Sequence, residues 1–196
     1  RALQDELNAI RPDSVALIQA DLLDVNGLPS LINQTVATFG GLDVLVNNAS
    51  SFYPTPVGTI TMKDWDNLMG SNLIAPLFLS QAAAPELKKR RGCIVNIADI
   101  HAERPMKSYV VYSVAKAGVV GLTKSLGKEL ATKGVLVNAV TPAAAKTAMF
   151  DTMTQAHIDF MLSKIPMGRF LEVEEAAAMV AWLSSSDCSF STGAVF

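Results

Sequence analysis

Strand-like apolar runs alternate with helix-like segments along almost the whole of this 196-residue chain. The runs at 42–47, 93–97 and 135–140 are the clearest, because each is short, rich in Val, Ile and Leu, and followed by turn or polar residues. Strands separated by helices are joined by crossover connections, which require a parallel sheet with right-handed crossovers. The pattern therefore predicts one α/β domain over residues 1–196, with a doubly wound parallel sheet and helices on both faces.

The predicted elements keep this alternating order from one end of the chain to the other. Gly92, Gly134 and Pro142 mark turns between them. In chain order we predict a helix at 1–10, a strand at 15–20, a helix at 28–39, a strand at 42–47, helices over 62–90, a strand at 93–97, a helix at 110–132, a strand at 135–140, a polar loop to about 154, helices at 155–163 and 172–184, and a strand at 191–196.

The composition is that of a compact enzyme domain. Half of the residues are hydrophobic and only 17% are charged, so much of the chain is expected to be buried between layers. The net charge of −2 argues against nucleic acid as a partner, and the basic run Lys88–Arg91 is interpreted as a helix end, where cations interact favourably with the last carbonyls.

Without a long apolar run or a signal-peptide pattern, we expect a cytoplasmic protein that does not bind a membrane. Cys93 and Cys188 lack metal-ligand spacing, so we predict reduced thiols and no metal site.

Polar residues follow each predicted strand, at the end where parallel sheets bind their ligands. Asp21 follows the strand at 15–20, Asn48–Ser50 follow the next strand, and Asp99 and Pro142 follow the last two internal strands. Asp21 has two interpretations of equal standing. It caps the following helix, or it binds the adenine end of a dinucleotide.

Tyr112 and Lys116 open a strongly helical stretch at a spacing of four residues, which places a phenol and an ammonium on one helix face. A free tyrosine has a pKa of about 10 and releases its proton too reluctantly for fast acid–base work near neutrality. A nearby cation favours the phenolate and lowers that pKa. We therefore predict that Lys116 activates Tyr112.

This pair, together with the flanking segments Leu42–Ala49 and Val135–Pro142, resembles the short-chain dehydrogenase/reductase family. The resemblance implies a Rossmann-like fold, an NADPH cofactor with NADH not excluded, and a homo-oligomer formed through the helices at 62–90 and 110–132. It implies that Lys116 also binds the nicotinamide ribose and that Asn72 supports a water near it. The residues implied to bind the cofactor are Asp21, Leu22, Asn48, Ala49, Ser50, Tyr112, Lys116 and Pro142.

The resemblance further implies that the chain is truncated at both ends. Residues 1–10 begin inside a helical pattern without an initiator Met, and residues 191–196 end as a strand begins. In the family, the first strand, the glycine-rich phosphate turn and the second strand come before this point. We expect a fragment without them to be poorly stable and to bind dinucleotide weakly.

Two segments, Asn47–Pro56 and Asp99–Pro105, are most similar to the pteridine reductases. By that resemblance Phe52 stacks against a flat pterin ring, with Ser50 and Tyr112 near its polar edge. The alternative for Phe52 is a loop residue pinned into the core. The implied substrate is a small molecule of the pteridine class.

Asp99 stands where the wider family usually has Ser. A carboxylic acid can deliver a proton to a ring nitrogen, so this substitution favours reduction of a C=N bond. The alternative is a loop Asp that caps the next turn. His101 is expected to have a structural or rim role, and His157 to be solvated.

The distal half of the chain is more similar to other branches of the family. From Ser125 onward it resembles sugar dehydrogenases and ketoacyl reductases, Ala143 replaces the usual Gly after Pro142, and the lid over 144–153 is not recognisably a pterin lid. Three hypotheses therefore stand: a pteridine reductase, a dehydrogenase of sugars or ketoacyl thioesters, and an inactive fragment.

Overall fold

The structure, a computed structural model, describes residues 1–145 and 154–196. Its elements alternate as the sequence predicts, and most of their bounds agree with the prediction to within two residues. They are α1 (Ala2–Ile10), α2 (Leu28–Phe39), β1 (Val44–Asn47), α3 (Met62–Met69), a π-helical turn (Gly70–Ile74), α4 (Ala75–Arg90), β2 (Cys93–Ile97), a 3-10 turn (Ile100–Ala102), α5 (Val110–Ala131), β3 (Leu136–Val140), α6 (Gln155–Leu162) and α7 (Val173–Leu183).

The three strands form a parallel sheet in the order β1-β2-β3. Val44 lies opposite Cys93, and Cys93 lies opposite Leu136, so the three strands are in step. Because they are parallel, their carboxyl ends meet at one edge of the sheet. The parallel α/β fold predicted from the sequence is confirmed.

Successive residues of β2 face opposite sides of the sheet, as the pleat requires. Ile94 is fully buried in a cluster with Leu87 of α4, and the same cluster includes side chains of α2 and α5. Val95 packs on the other face with Leu183 of α7 and with Cys188. Burying one such aliphatic side chain stabilises the fold by roughly 1.5–3 kcal/mol, which explains why both faces of the central strand are apolar.

A chain of buried polar side chains ties the sheet to α5. Asn47 Nδ2 donates to Asn96 Oδ1 on the neighbouring strand (2.8 Å), and Asn96 Nδ2 donates to Thr123 Oγ1 on α5 (2.9 Å). Buried amides need such partners, because an unpaired polar group in the core is costly. These bonds fix α5, which carries Tyr112, against the strand ends.

The strand predicted at 15–20 is wrong, because this segment joins no ladder in the described structure. A strand needs a neighbouring backbone to complete its hydrogen bonds. Here the backbone of Val15 bonds to side chains of α1 instead: its N–H donates to Asn8 Oδ1 (2.9 Å), and its carbonyl accepts from Gln4 Nε2 (3.1 Å).

The strand predicted at 191–196 is right in place and wrong in extent. Its backbone runs parallel to β3, where the Ala139 N–H donates to the Ala194 carbonyl (2.9 Å) and the Phe196 N–H donates to the Ala139 carbonyl (3.0 Å). The pairing amounts to one isolated bridge, between Ala139 and Val195. Gly193 has a φ of +70°, outside the strand region, although its N–H still donates to the Val137 carbonyl of β3 (2.7 Å).

The basic run Lys88–Arg91 closes α4 as predicted, with Lys89 paired to Glu86 one turn earlier. Cys93 and Cys188 are buried free thiols, also as predicted. In the part of the chain that the structure describes, no helix is both long and apolar enough to cross a membrane.

The closest approach of α5 to the C-terminal segment is at Gly127, where a Cβ would lie 2.6 Å from the backbone nitrogen of Gly193. Gly121, on the same helix, has nothing within 4 Å of such a Cβ. We expect Gly127→Ala to lower the free energy of unfolding by about 1–3 kcal/mol, because backbone atoms must move apart. Gly121→Ala should raise it by up to about 1 kcal/mol through helix propensity. Denaturant unfolding of both variants measures the difference, and equal effects would contradict the close contact.

Candidate active site

Polar side chains gather at the carboxyl edge of the sheet, as the sequence predicts. Ser50 lies shortly after β1, Asp99 shortly after β2, and Tyr112 and Lys116 in the first two turns of α5. α5 packs against both β3 and the 3-10 turn that follows Asp99. Side chains that are far apart in the sequence are thereby brought within contact distance.

Asp99 contacts Tyr112 directly. The Tyr112 hydroxyl donates to Asp99 Oδ2 at 2.6 Å, and the backbone N–H of His101 donates to Asp99 Oδ1 at 2.8 Å. The carboxylate therefore caps the 3-10 turn with one oxygen and binds the phenol with the other. The capping interpretation of Asp99 describes the first of these bonds, and its role as a proton donor stays a prediction.

Tyr112 is 4% exposed. Burial raises the pKa of its phenol well above the ordinary value, and the hydrogen bond to Asp99 and the charge of that carboxylate raise it further. The neighbouring Ser50 hydroxyl acts in the opposite direction. The site thus favours the neutral phenol, which is the form that can donate a proton.

Lys116 is 3% exposed, and its Nζ donates to the carbonyl of Ile97 at 2.8 Å. The same Nζ lies 5.7 Å from the centre of the Tyr112 ring. Burial lowers the pKa of this ammonium to about 8, although the charge of Asp99 partly offsets the effect. An ammonium has three N–H donors, so the bond to Ile97 leaves two of them for a ligand.

The depressed pKa of Lys116 predicts how activity depends on pH. Below about pH 8 the side chain is an ammonium, and above it the charge is lost. We expect kcat/KM for the nucleotide, which reports the free protein, to fall above about pH 8 by up to tenfold per unit. Lys124→Gln, which removes an exposed cation from the same helix, should leave the break in place. A profile that stays flat to pH 10 would contradict the assignment.

Asn72 lies in the π-helical turn between α3 and α4 and is 1% exposed. Its Nδ2 donates to the carbonyls of Ser51 and Leu68 (2.9 Å each), and its Oδ1 accepts from the Ser50 hydroxyl (2.6 Å). Short π-helical turns often occur at functional sites. In the described structure these bonds serve the loop that carries Ser50, and none of them goes to Lys116.

Phe52 lies beside the Tyr112 phenol in an aromatic cluster that also contains Tyr109. Its ring stacks on Tyr109 with centroids 4.5 Å apart and meets Tyr112 edge-on at 4.8 Å, while 36% of the residue stays exposed. Such pairs are stabilised by the geometry of the ring quadrupoles. Phe52 is therefore neither free in the loop nor fully in the core. Sequence reasoning missed Tyr109, whose only signal is its place one helical turn before Tyr112.

Three of the residues implied to bind the cofactor line one cleft of about 290 Å³ between α2, β1 and α4. They are Leu22, Asn48 and Ala49, and the buried Asn47 lines the cleft as well. Asn47 Oδ1 is buried without a hydrogen-bond partner in the described structure, so it presents an acceptor. Asp21 is exposed and accepts from the Leu23 N–H (2.9 Å), so it caps a turn rather than α2, which begins at Leu28.

The remaining predicted residues are less involved. Pro142 lies just beyond β3, at the same edge of the sheet, and the lid expected over 144–153 falls mostly outside the described residues. His101 Nδ1 lies 3.0 Å from the Arg104 carbonyl, within its own turn. The side chain of His157 is outside the described structure. No group of His, Cys, Asp and Glu among the described residues could hold a metal ion.

The chain is similar to proteins named as reductases and dehydrogenases. The model of a family described as enoyl-(acyl carrier protein) reductase matches residues 1–196. A 2-dehydro-3-deoxy-L-rhamnonate dehydrogenase (NAD(+)) from Sphingomonas sp. is 37% identical over 94% of this chain and 75% of that protein. A 3-oxoacyl-acyl-carrier-protein reductase from Staphylococcus aureus is 35% identical over 98% of this chain and 78% of that protein.

Solved structures share the Rossmann-like arrangement. A blue fluorescent protein from a metagenomic library, crystallised in complex with NADPH, superposes with a TM-score of 0.92 at 31% identity, over 100% of this chain and 78% of that one. A Serratia marcescens short-chain dehydrogenase/reductase variant superposes with a TM-score of 0.89 at 30% identity, over 98% and 80%.

Proposed function

Because the chain belongs to the short-chain dehydrogenase/reductase family, we propose that it is an NAD(P)(H)-dependent oxidoreductase whose site is arranged for reduction. The observation that carries the proposal is the 2.6 Å hydrogen bond from the Tyr112 hydroxyl to Asp99, beside the buried Lys116. Burial and the carboxylate favour the neutral phenol, so Tyr112 holds a proton for a substrate oxygen or nitrogen.

Each side chain of the site then has a part in moving that proton. When Tyr112 gives up its proton, negative charge develops on the phenol oxygen, and the ammonium of Lys116 favours that charge. Ser50, whose hydroxyl donates to Asn72 Oδ1, lies beside the phenol. This arrangement needs no metal ion to polarise the substrate, because the proton donor does so.

The residues present fit a dinucleotide at this edge of the sheet. The cleft lined by Leu22, Asn48 and Ala49, with the unpaired Asn47 Oδ1, offers apolar walls and one acceptor for one end of it. The two remaining N–H donors of Lys116 would bind hydroxyl groups near the other end. When bound, a reduced nicotinamide supplies the hydride for the substrate. We propose NADPH as the cofactor, with NADH as the alternative, since the names of the relatives include both nucleotides.

A carbonyl is the reacting group that the relatives favour. The names of two of them specify a dehydro sugar acid and a 3-oxoacyl thioester, each of which carries an oxo group. Tyr112 alone would protonate the oxygen of such a group. We therefore take a small oxo acid or 3-oxoacyl thioester as the first candidate substrate.

A flat heteroaromatic ring of the pteridine class is the second candidate, favoured by two side chains. Phe52 offers an exposed ring face in an aromatic cluster with Tyr109 and Tyr112. Asp99 adds a second group that can carry a proton, 2.6 Å from the first. A ring with two adjacent C=N bonds could use both donors, whereas a carbonyl uses one.

A substrate panel tests the proposal and separates the candidates. The protein is assayed for oxidation of NADPH and of NADH with a 2-oxo sugar acid, an acetoacetyl thioester, dihydrobiopterin and dihydrofolate. Turnover confined to the first two substrates supports the carbonyl candidate, and turnover confined to the last two supports the pteridine candidate. Failure of every combination, in protein that is folded and binds the nucleotide, would overturn the proposed function.

A further inference from the structure

The helix that carries Tyr112 has no side-chain cap of its own. The residue before α5 is Tyr109, and its side chain makes no capping hydrogen bond. The first N–H groups of a helix have no partner within the helix, so a cap must come from elsewhere or from water. A Ser, Thr, Asn or Asp normally supplies it locally.

Thr55 supplies that cap from the loop between β1 and α3. Its Oγ1 accepts from the backbone N–H of Val111, the second residue of α5, at 3.3 Å. The backbone N–H of Thr55 donates to the Ser108 carbonyl at 2.6 Å, and Thr55 forms a parallel bridge with Tyr109. Thr55 is 2% exposed, so water does not compete for these bonds.

This contact joins the loop that carries Phe52 to the helix end that carries Tyr109 and Tyr112. Phe52 lies three residues before Thr55 on the loop, whereas Tyr109 and Tyr112 lie on either side of the N–H that Thr55 caps. The stack of Phe52 on Tyr109 and its edge-on contact with Tyr112 both cross this junction. Ser108 supports the junction with a φ of +67°, an uncommon conformation for a non-glycine residue.

We propose that Thr55 is a positioning residue that caps α5 from the loop between β1 and α3 and thereby sets Tyr112 against the ring of Phe52. The role in substrate binding rests on the proposed function, whereas the cap itself does not. Among the described hydrogen bonds, none joins Thr55 to Asp99 or to the Tyr112 hydroxyl. Its effect on the reaction is carried by the geometry of the loop and the helix end.

The test compares Thr55→Val, which keeps the shape and removes the acceptor, with Thr55→Ser, which keeps the acceptor. Thr59→Val is the matched control, because Thr59 lies in the same loop, is exposed and bonds only to Pro56 among the described residues. Amide hydrogen exchange at Val111 reports the cap without any substrate. We expect Thr55→Val to lower its protection by about twofold to thirtyfold, the range typical of a lost N-cap, with Thr55→Ser and Thr59→Val close to the parent.

Steady-state kinetics with the best substrate of the panel report the positioning. Thr55→Val should raise KM for that substrate by about fivefold or more while the nucleotide affinity stays unchanged, and Thr55→Ser should restore KM. A role in stability alone would lower the melting temperature and the active fraction without moving KM. Unchanged protection at Val111, or equal KM for the valine and serine variants, would overturn the proposal. If no substrate is turned over, the proposed function fails, and the exchange data still decide whether Thr55 caps α5.

Discussion

Replacing Tyr112 by Phe should lower kcat by about 10²–10⁴ on every substrate that the protein reduces, because general acid catalysis contributes on this scale. The substitution removes the hydroxyl that donates to Asp99 and keeps the ring that contacts Phe52 and Lys116. We therefore expect nucleotide binding within about threefold of the parent, since the loss falls on the proton transfer. Stopped-flow or steady-state assays of kcat, with calorimetry for the nucleotide, measure both quantities.

Tyr53→Phe is the matched control for this experiment. Tyr53 packs in the same hydrophobic cluster as Tyr112, and its hydroxyl makes a long contact to the Asp64 carbonyl (3.5 Å). We expect the control variant to keep kcat within about twofold, because a bond of this length contributes little. Comparable losses in the two variants would mean that the cluster is needed for packing, and Tyr112 would lose its role as proton donor.

Asp99→Asn should separate the two candidate substrates. For a fully oxidised pteridine ring, where a second proton donor is needed, we expect a loss of about 10²–10⁴ in kcat. The dihydro form of the ring should lose less, because Tyr112 then acts as the donor, and Tyr112→Phe should show the reverse order. For a carbonyl substrate the loss should stay under about tenfold, since only one proton is delivered.

Asp99→Asn changes the hydrogen bonds at this position as well as its charge, so a second variant is compared with it. The carboxylate accepts from His101 N–H at one oxygen and from the Tyr112 hydroxyl at the other, whereas an amide has a single acceptor oxygen. Asp99→Ser tests the charge without an amide nitrogen in the site. If both variants lose activity equally on rings and carbonyls, Asp99 is a structural cap of the 3-10 turn, and the pteridine candidate loses its main support.

Removing the Asp99 charge should also lower the pKa of Tyr112 toward its ordinary value. The carboxylate opposes ionisation of the phenol both through its hydrogen bond and through its charge. The phenol of Tyr112 should therefore begin to ionise at a lower pH in Asp99→Asn than in the parent. An ultraviolet titration of the tyrosinate, compared between the two proteins, follows this change.

The sequence alone determined the features that depend on local periodicity. The alternation of strands and helices, the parallel sheet and the gathering of Asp99, Tyr112 and Lys116 at its carboxyl edge were all predictable. The reason is that a strand repeats every two residues and a helix every 3.6, so the side that each residue faces is encoded within a few neighbours. The family resemblance came from the same short stretches of chain.

Only the tertiary structure decided which groups touch. The Asp99–Tyr112 bond spans 13 residues and the Thr55–Val111 bond spans 56, and neither distance is written in the local pattern. Strand pairing is of the same kind, because the segment at 15–20 has strand-like residues and no partner backbone among the described elements. The tertiary structure also decided the direction of the Tyr112 pKa shift. The sequence predicted that Lys116 lowers the pKa of this phenol, whereas burial and the charge of Asp99 raise it. Burial and charge act through space, so they are fixed only when the layers pack.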